Sequence, residues 1–510
     1  MMTIMDKRTL IRAFLLSICL LPLAVGPVAQ AAQSASSGWE RVASGVDYKM
    51  FSLPGPNRAY VARLDREQSD VILESSIAQG RLSGGLETVS GMAERYDGAI
   101  NAWGDTWGAR NRVAVAINGS FYDPETGIPH GGMIHSGWYS KWFDELSGIS
   151  GLSWKEDNNI FLGQCVYHRP DKQVLTNLTT GDRMEIHGIN TLPRRDQLIL
   201  LTPQFDRDSN RESKGIDVLV ELTRPAMLMP FPHLVTGVVR EIRIAPGSTP
   251  IPFDHVVLSG WGTTDDQLVQ FLTEGDAVGL SLEITHLDKD CKYPASAEWT
   301  KSYASIAGNI IFLYEGKIQK FDQIGALLRH PRTAICYNQD YLYFVVVDGR
   351  DDAYSVGMTV LELANFCKEK LQATEGINLD GGGSSTLWVN GEVVNRPSDG
   401  HERKVANGVM MVVVEPMEKS SAFSPGLRVT AQYPTNIHLG PGTNFPALTS
   451  VDRETQGTVI NHWDRLNGIL AKGAYWWKID FDGVMGWVDE AALSANDDSP
   501  VTSTDLPSGQ

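Results

Sequence analysis

The 510-residue chain has no G-x-S-x-G run, no Walker-type phosphate loop, no H-E-x-x-H and no loop of EF-hand spacing. These absences remove the serine-hydrolase elbow, P-loop chemistry, the helical zinc-peptidase site and the common calcium loop. Positive charge is short as well: 44 Lys and Arg stand against 61 Asp and Glu, a net charge of −17. That balance argues against non-specific binding to nucleic acid or an anionic membrane, while leaving room for a local basic pocket. Cysteine is scarce, five in all and never as C-x-x-C, so a zinc ribbon or redox motif is not expected. Strong helical periodicity is rare, and no internal repeat of fixed period occurs.

The N-terminus has the parts of a secretory signal. Lys7, Arg8 and Arg12 precede an apolar run from Ala13 to Leu23, and Ala29-Gln30-Ala31 is a small-x-small cleavage site. The apolar run is shorter than the roughly 20 residues of a membrane-spanning helix. Residues 1–31 are therefore expected to be a cleaved signal peptide, with the mature protein exported (periplasmic, extracellular or cell-wall associated) and carrying no transmembrane segment. Cleavage leaves Cys165, Cys291, Cys336 and Cys367. Export permits disulfides in any of three pairings, with buried free thiols an equal alternative for Cys336 and Cys367.

A chain of this length suggests roughly two to four domains. From Trp39 to about Glu415, short β-type runs alternate with Gly, Pro, Asn and Asp: Arg112 to Ile117, Asp217 to Leu222, Val235 to Ile244, Ala277 to Ile284, Ile310 to Tyr314, Thr333 to Tyr337, Tyr341 to Val347 and Val409 to Val414. The best helix is TVLELANFCKEKLQATEG, with Thr359 and Glu362 as a capping box, an apolar face of Leu363, Phe366, Cys367 and Leu371, and Gly376 as the expected C-cap. Strand, helix and strand then follow, placing Asp348 and Asp380 at the ends of two strands where α/β units hold ligands. Residues 418–426 read as a linker, 427–493 as a small β domain with Gly-Pro-Gly and Asp-Gly turns, and 494–510 as a disordered tail.

The segment NLDGGGSSTLWVNG, 378–391, sets Asp380 against Gly381, Gly382 and Gly383 and then Ser384, Ser385 and Thr386, ahead of an Asn390-Gly391 hairpin turn. Successive glycines can turn several N–H groups into one concavity that suits an anion, with the hydroxyls as further donors. Arg329, His330 and Arg332 stand at the mouth of a strand, and guanidinium groups fit phosphate or carboxylate bidentately. Asp348 and Arg350 follow the apolar run of Tyr341 to Val347. A fourth segment ends a strand at Asn118 and continues through a glycine-rich loop with Phe121, His130 and His135. For each of these the alternative is a structural hydrogen bond or ion pair.

Taken in order, INGSFY (117–122), GNIIFLYEGK (308–317), RHPRTAI (329–335), VVVDGRDDAYSVGMTVLELA (345–364) and INLDGGGSSTLWVNGEVVNRPSDGHERKVANGVMMV (377–412) resemble the phosphodiester glycosidase family. The resemblance implies an α+β fold with a mixed-sheet catalytic domain over 32–417 and few helices. It also implies hydrolysis of the bond between a sugar's anomeric carbon and a phosphodiester, on a sugar-phosphate or polysaccharide substrate. On that reading Asp380 is the acting carboxylate and Asp348 the second acid or the orienter of an arginine. Asn118, Arg332, Arg350, Asn378, Gly381, Gly382, Gly383, Ser384, Ser385, Thr386 and Asp399 contact sugar or phosphate, and Asn407 helps Asp399 close the rim. No cofactor is required by the sequence, and a divalent metal such as calcium stays open. The stretches NIHLGPGTNFPAL and WWKIDFDGVMGWV resemble a bacterial SH3-like barrel, which implies a cell-wall ligand, with Trp476, Trp477 and Trp487 as either stacking or core residues. Ile437-His438 departs from that pattern.

Overall fold

Two sheets packed face to face carry the site, and their strands follow the β-branched runs of the sequence. In this computed structural model residues 38–496 are described, apart from 97–109, 144–150, 156, 193, 212–213, 224–233, 245–246, 287–290, 297, 300–301, 416–417 and 461–466. The expected signal segment and the end of the tail lie outside the described residues. The first sheet has eight strands. At its centre Tyr341–Val347, Arg332–Tyr337 and Glu375–Asn378 lie side by side, all antiparallel. The second sheet has five strands, with Arg110–Asn118, Asn407–Glu415 and Val71–Ile77 adjacent. Alternate residues meet between the sheets: Ile335, Phe344, Val346 and Ile377 from one, Val115, Ile117, Met410 and Val412 from the other, all 0–1% exposed. At roughly 1.5–3 kcal/mol for each fully buried aliphatic side chain, this seam is a principal source of stability.

The helix between strands Tyr341–Val347 and Glu375–Asn378 spans Val360–Lys370, and the capping box of Thr359 and Glu362 is formed. Its end differs from the expectation. Gln372 takes the left-handed conformation, φ 56°, while Gly376 lies inside the strand, where an added Cβ would strike the Phe312 ring. The glycine serves sheet packing, and the helix is capped at Leu371, five residues earlier. The two strands joined by the helix run parallel but are not neighbours, because Arg332–Tyr337 is inserted between them. With about 4.8 Å between strands, their ends lie roughly 10 Å apart.

A third sheet of eight strands, built from 166–286, has its own core around Leu200, Val218, Val256 and Leu280. It is mixed: Gly188–Ile189 pairs parallel with Leu198–Leu201 and the other pairings are antiparallel. Cys165, just before strand Val166–Asn177, and Cys291, beyond strand Ala277–His286, form a disulfide, while Cys336 and Cys367 are free and buried. The fold is thus mostly β with few helices.

Residues 428–495 form a further small sheet. The segment 418–426 lies along it, with Ser420 N–H donating to Gly468 O at 2.7 Å and Phe423 edge-on to Trp477 at 5.2 Å. Trp476, Trp477 and Trp487 are all buried, so none presents a face to solvent. Phe253 of the third sheet's domain packs with Trp476 and Trp487. Lys478 Nζ reaches Asp254 Oδ2 at 2.5 Å and Glu221 Oε1 at 3.1 Å. From Glu40 onward the chain is one compact unit. Among the described residues no helix is long and apolar enough to cross a membrane.

Candidate active site

The two sheets are pinned together at one edge by Asn118, the last residue of its strand. Its Nδ2 donates to Asp380 O at 2.8 Å, and its Oδ1 accepts from Thr333 Oγ1 at 2.7 Å and from Thr386 N–H at 3.2 Å. Asp380 N–H donates in turn to Gly119 O at 3.0 Å. Asn118 is wholly buried, and Asn407 beside it binds Ser120 from both amide atoms. These asparagines hold the edge together. Asn378 donates to Asn309 Oδ1 and Leu379 O.

Asp380 stands at this edge with its carboxylate half-buried. Oδ1 accepts from Gly381 N–H at 2.9 Å. Burial raises its pKa above the ordinary carboxylate value, against the opposing pull of the Ser384 hydroxyl, the Gly381 amide, Arg403 and His130. The Tyr122 hydroxyl donates to Lys404 O at 3.1 Å, and burial with the nearby Asp380 charge raises its phenol pKa. A cavity of about 110 Å³ opens alongside, lined by Ser120, Phe121, His130, Ala307, Gly308 and Asn309. One partly desolvated acid beside a small cavity is the arrangement in which a carboxylate is reactive.

Three charged side chains, two arginines and an aspartate, surround the glycine run, and the reason for the glycines lies in them. Gly382 has φ +64°, and a Cβ there would sit 2.9 Å from Arg350 Nη2. A Cβ on Gly383 would come within 3.0 Å of both Asp399 Oδ2 and Arg403 Nη2. Side chains are absent so that an ion pair and a guanidinium can lie directly on the backbone. Four of the amides are engaged within the chain: Gly381 with Asp380, Gly382 with Pro331 O at 3.0 Å, and Ser384 and Ser385 in the turn. The charged side chains above the run, more than its N–H groups, are open to solvent.

Asp399 is the hub of these charges. It accepts from Arg403 Nε at 2.8 Å and lies 3.7 Å from Arg350 Nη1. The side chains of Arg350 and Arg403 are 47% and 40% exposed, which leaves donors for a ligand. His330 is half-exposed, and burial with the charges of Arg332 and Arg350 lowers its pKa, so it is neutral at pH 7.

Other sequence candidates are buried or engaged within the protein. Asp348 is 2% exposed and accepts from Asn395 Nδ2 at 2.9 Å and Arg396 N–H at 3.0 Å, ordering the 395–396 turn. Arg332 is buried, with Nε on Met358 O at 2.8 Å and Nη2 on Gly325 O and Leu328 O at 2.7 Å. Arg329 pairs with Glu362. His135 lies 3.2 Å from the buried Glu74. Ser385 Oγ and Thr386 Oγ1 are buried without a protein partner, a cost of about 1–3 kcal/mol each, so the segment is not built for stability alone. Arg403 and Tyr122 were not singled out in the sequence. Arg403's position four residues after Asp399 was the available signal. Among the described residues no three His, Cys, Asp or Glu side chains gather as a metal-binding group.

The phosphodiester glycosidase family model matches residues 237–412, which include Asp348, Asp380, Asp399 and Arg403. No curated protein matches the chain. Among solved structures, a hypothetical protein from Synechocystis aligns with TM-score 0.50 at 16% identity, over 72% of this chain and 62% of that one. The chain thus spans less than two thirds of that protein, and the likeness concerns the fold. A Burkholderia pseudomallei protein described as exported aligns at 18% identity, over 71% and 75% of the two chains, with TM-score 0.48. The catalytic domain of zebrafish N-acetylglucosamine-1-phosphodiester alpha-N-acetylglucosaminidase, auto-inhibited by its pro-peptide, aligns at 14% identity over 74% and 84%, with TM-score 0.36.

Proposed function

We propose that the protein is an exported glycosidase-type hydrolase that cleaves the bond between a sugar's anomeric carbon and a phosphodiester, acting on a cell-wall or extracellular polysaccharide. The observation that carries this reading is the half-buried Asp380, set beside the Arg350–Asp399–Arg403 cluster inside the segment that matches the phosphodiester glycosidase family model.

In this mechanism Arg350 and Arg403 hold the phosphate oxygens and Asp399 fixes the direction of both guanidinium groups. Asp380 acts at the anomeric carbon, directly or through a water, while Ser384 and Gly381 N–H orient its carboxylate. The carbon–oxygen bond breaks and its electron pair leaves with the phosphate. Water supplies the oxygen that ends on the sugar. A phosphomonoester has a second pKa of about 6, so it departs with less protonation than an alcohol needs. The site's main contribution is therefore charge placement.

The test is turnover of N-acetylglucosamine-1-phosphodiester, with a neutral aryl glycoside as comparison. Wild type should release free sugar from the first and little from the second. Asp380→Asn should lose at least about 10³-fold in kcat/KM while keeping the fold by circular dichroism; near-wild-type turnover would remove Asp380 from the mechanism.

A further inference from the structure

A second and larger cavity, about 600 Å³, lies between the tip of the 123–130 loop and the Gly188–Ile189 edge of the third sheet. That volume suits a ligand larger than one monosaccharide. Its back wall holds Trp142, whose ring stacks on His168 at 4.5 Å and 17°. His168 is buried, accepts Phe143 N–H at 3.0 Å, and has its pKa pushed down to about 3 by burial, so a neutral ring supports the indole from behind.

The rim is polar, and its charges are of one sign. Lys141 and Arg194 line it together with His187, and among the described lining residues none is acidic, in a chain whose net charge is −17. Asp206 does not line the cavity and is engaged by Ser83, Asn210 and Arg81. His187 Nδ1 accepts Leu198 N–H at 3.2 Å, so Nε2 carries the proton and is a donor. Asn190 is locked to Ser140 O and Thr202 Oγ1, both at 2.8 Å, so this wall is fixed in place. A half-buried indole with hydrogen-bond donors around it matches the apolar face and hydroxyl edge of a pyranose, and the cations select a charged one.

The same loop serves both cavities. Thr126 and Ile128 line the large one and His130 the small one beside Asp380. Two residues of chain span at most about 7 Å. Gly127, at φ +73°, keeps the tip down: a Cβ there would lie 2.9 Å from the Gly85 carbonyl oxygen.

We propose that this groove is a carbohydrate subsite for an anionic saccharide unit of the polymer whose sugar phosphate enters the Asp380 site. The link to a cleaved polymer rests on the function proposed above; saccharide binding does not. The experiment titrates the full chain calorimetrically with a glucuronate–N-acetylglucosamine tetrasaccharide and with neutral chitotetraose. The charged probe should bind at least about tenfold more tightly, and Arg194→Glu should remove that preference while leaving turnover of methyl N-acetylglucosamine-1-phosphodiester unchanged. Trp142→Ala should weaken both probes. Arg194 is exposed, so its variant is informative even if the Trp142 variant misfolds. Absence of binding, equal binding of the two probes, or an Arg194→Glu protein with wild-type preference would overturn the proposal. Arg194-dependent binding by a protein that hydrolyses no sugar phosphodiester would uphold the subsite and reject the hydrolase.

Discussion

Replacing Gly383 with alanine separates the two explanations of the glycine run. Gly383 is not among the residues of positive φ, so alanine meets no backbone penalty there and the effect is steric. The new Cβ would lie within 3.0 Å of Asp399 Oδ2 and Arg403 Nη2, and ordinary contact begins at 3.4 Å. Both groups must retreat by about 1 Å, a misplacement that in an active site costs on the order of 100-fold in rate, or about 2.7 kcal/mol of transition-state stabilisation. The stability cost is smaller. The side chains of the pair are 40% and 24% exposed, so losing it removes about 0–1 kcal/mol, and the crowding falls on side-chain ends that can move toward solvent. We expect kcat/KM on a sugar-1-phosphodiester to fall about 100-fold and the melting temperature by a few degrees. Gly391→Ala is the control: φ is +103° with no atom within 4 Å, so it should lower stability and leave activity alone. If Gly383→Ala keeps wild-type kcat/KM, the seating of Arg403 and Asp399 on the backbone has no part in turnover.

The raised pKa of Asp380 has two consequences. The acid limb of kcat/KM should lie above the ordinary carboxylate range, because the active form is ionised and burial favours the protonated one. A folded pKa above the unfolded one means that Asp380 favours the fold at low pH and loses that contribution as pH rises through the folded value. Asp380→Asn should therefore melt no lower than wild type at pH 7 in a thermal scan, and a large decrease would contradict the assigned desolvation. Cys165→Ser should cost about 2–5 kcal/mol in denaturant unfolding, since Cys165–Cys291 closes a loop of 126 residues. Lys478→Met leaves Asp254 and Glu221 without the cation between them, a loss of about 3–5 kcal/mol; calorimetry should then show the C-terminal sheet unfolding separately.

Much of the β framework was legible because β-branched runs bounded by turn residues have few alternatives. Val235–Ile244, Ile310–Tyr314 and Tyr341–Val347 fall where the pattern puts them. So do the capping box and the turn at Asn390 and Gly391, both with positive φ. The Gly376 cap failed because a glycine can serve a turn or a close ring contact, and only the Phe312 ring decides between them. Individual roles at the site were harder to read. Arg332 and Arg350 look equivalent in sequence, yet one is buried and engaged by three carbonyls and the other is half exposed beside Asp399. Lys478 sits in an alternating strand where a lysine reads as solvent-facing, and its burial comes from Asp254 and Glu221 more than 200 residues away. Such pairings depend on which sheets dock, and no local pattern records that.

Hydrolysis of N-acetylglucosamine-1-phosphodiester in ¹⁸O-labelled water, with mass spectrometry of both products, decides which bond the protein breaks. Attack at the anomeric carbon places the label on the sugar hydroxyl and leaves the phosphate unlabelled. Label in the phosphate would mean that the phosphorus–oxygen bond breaks, and the role given to Asp380 would be wrong.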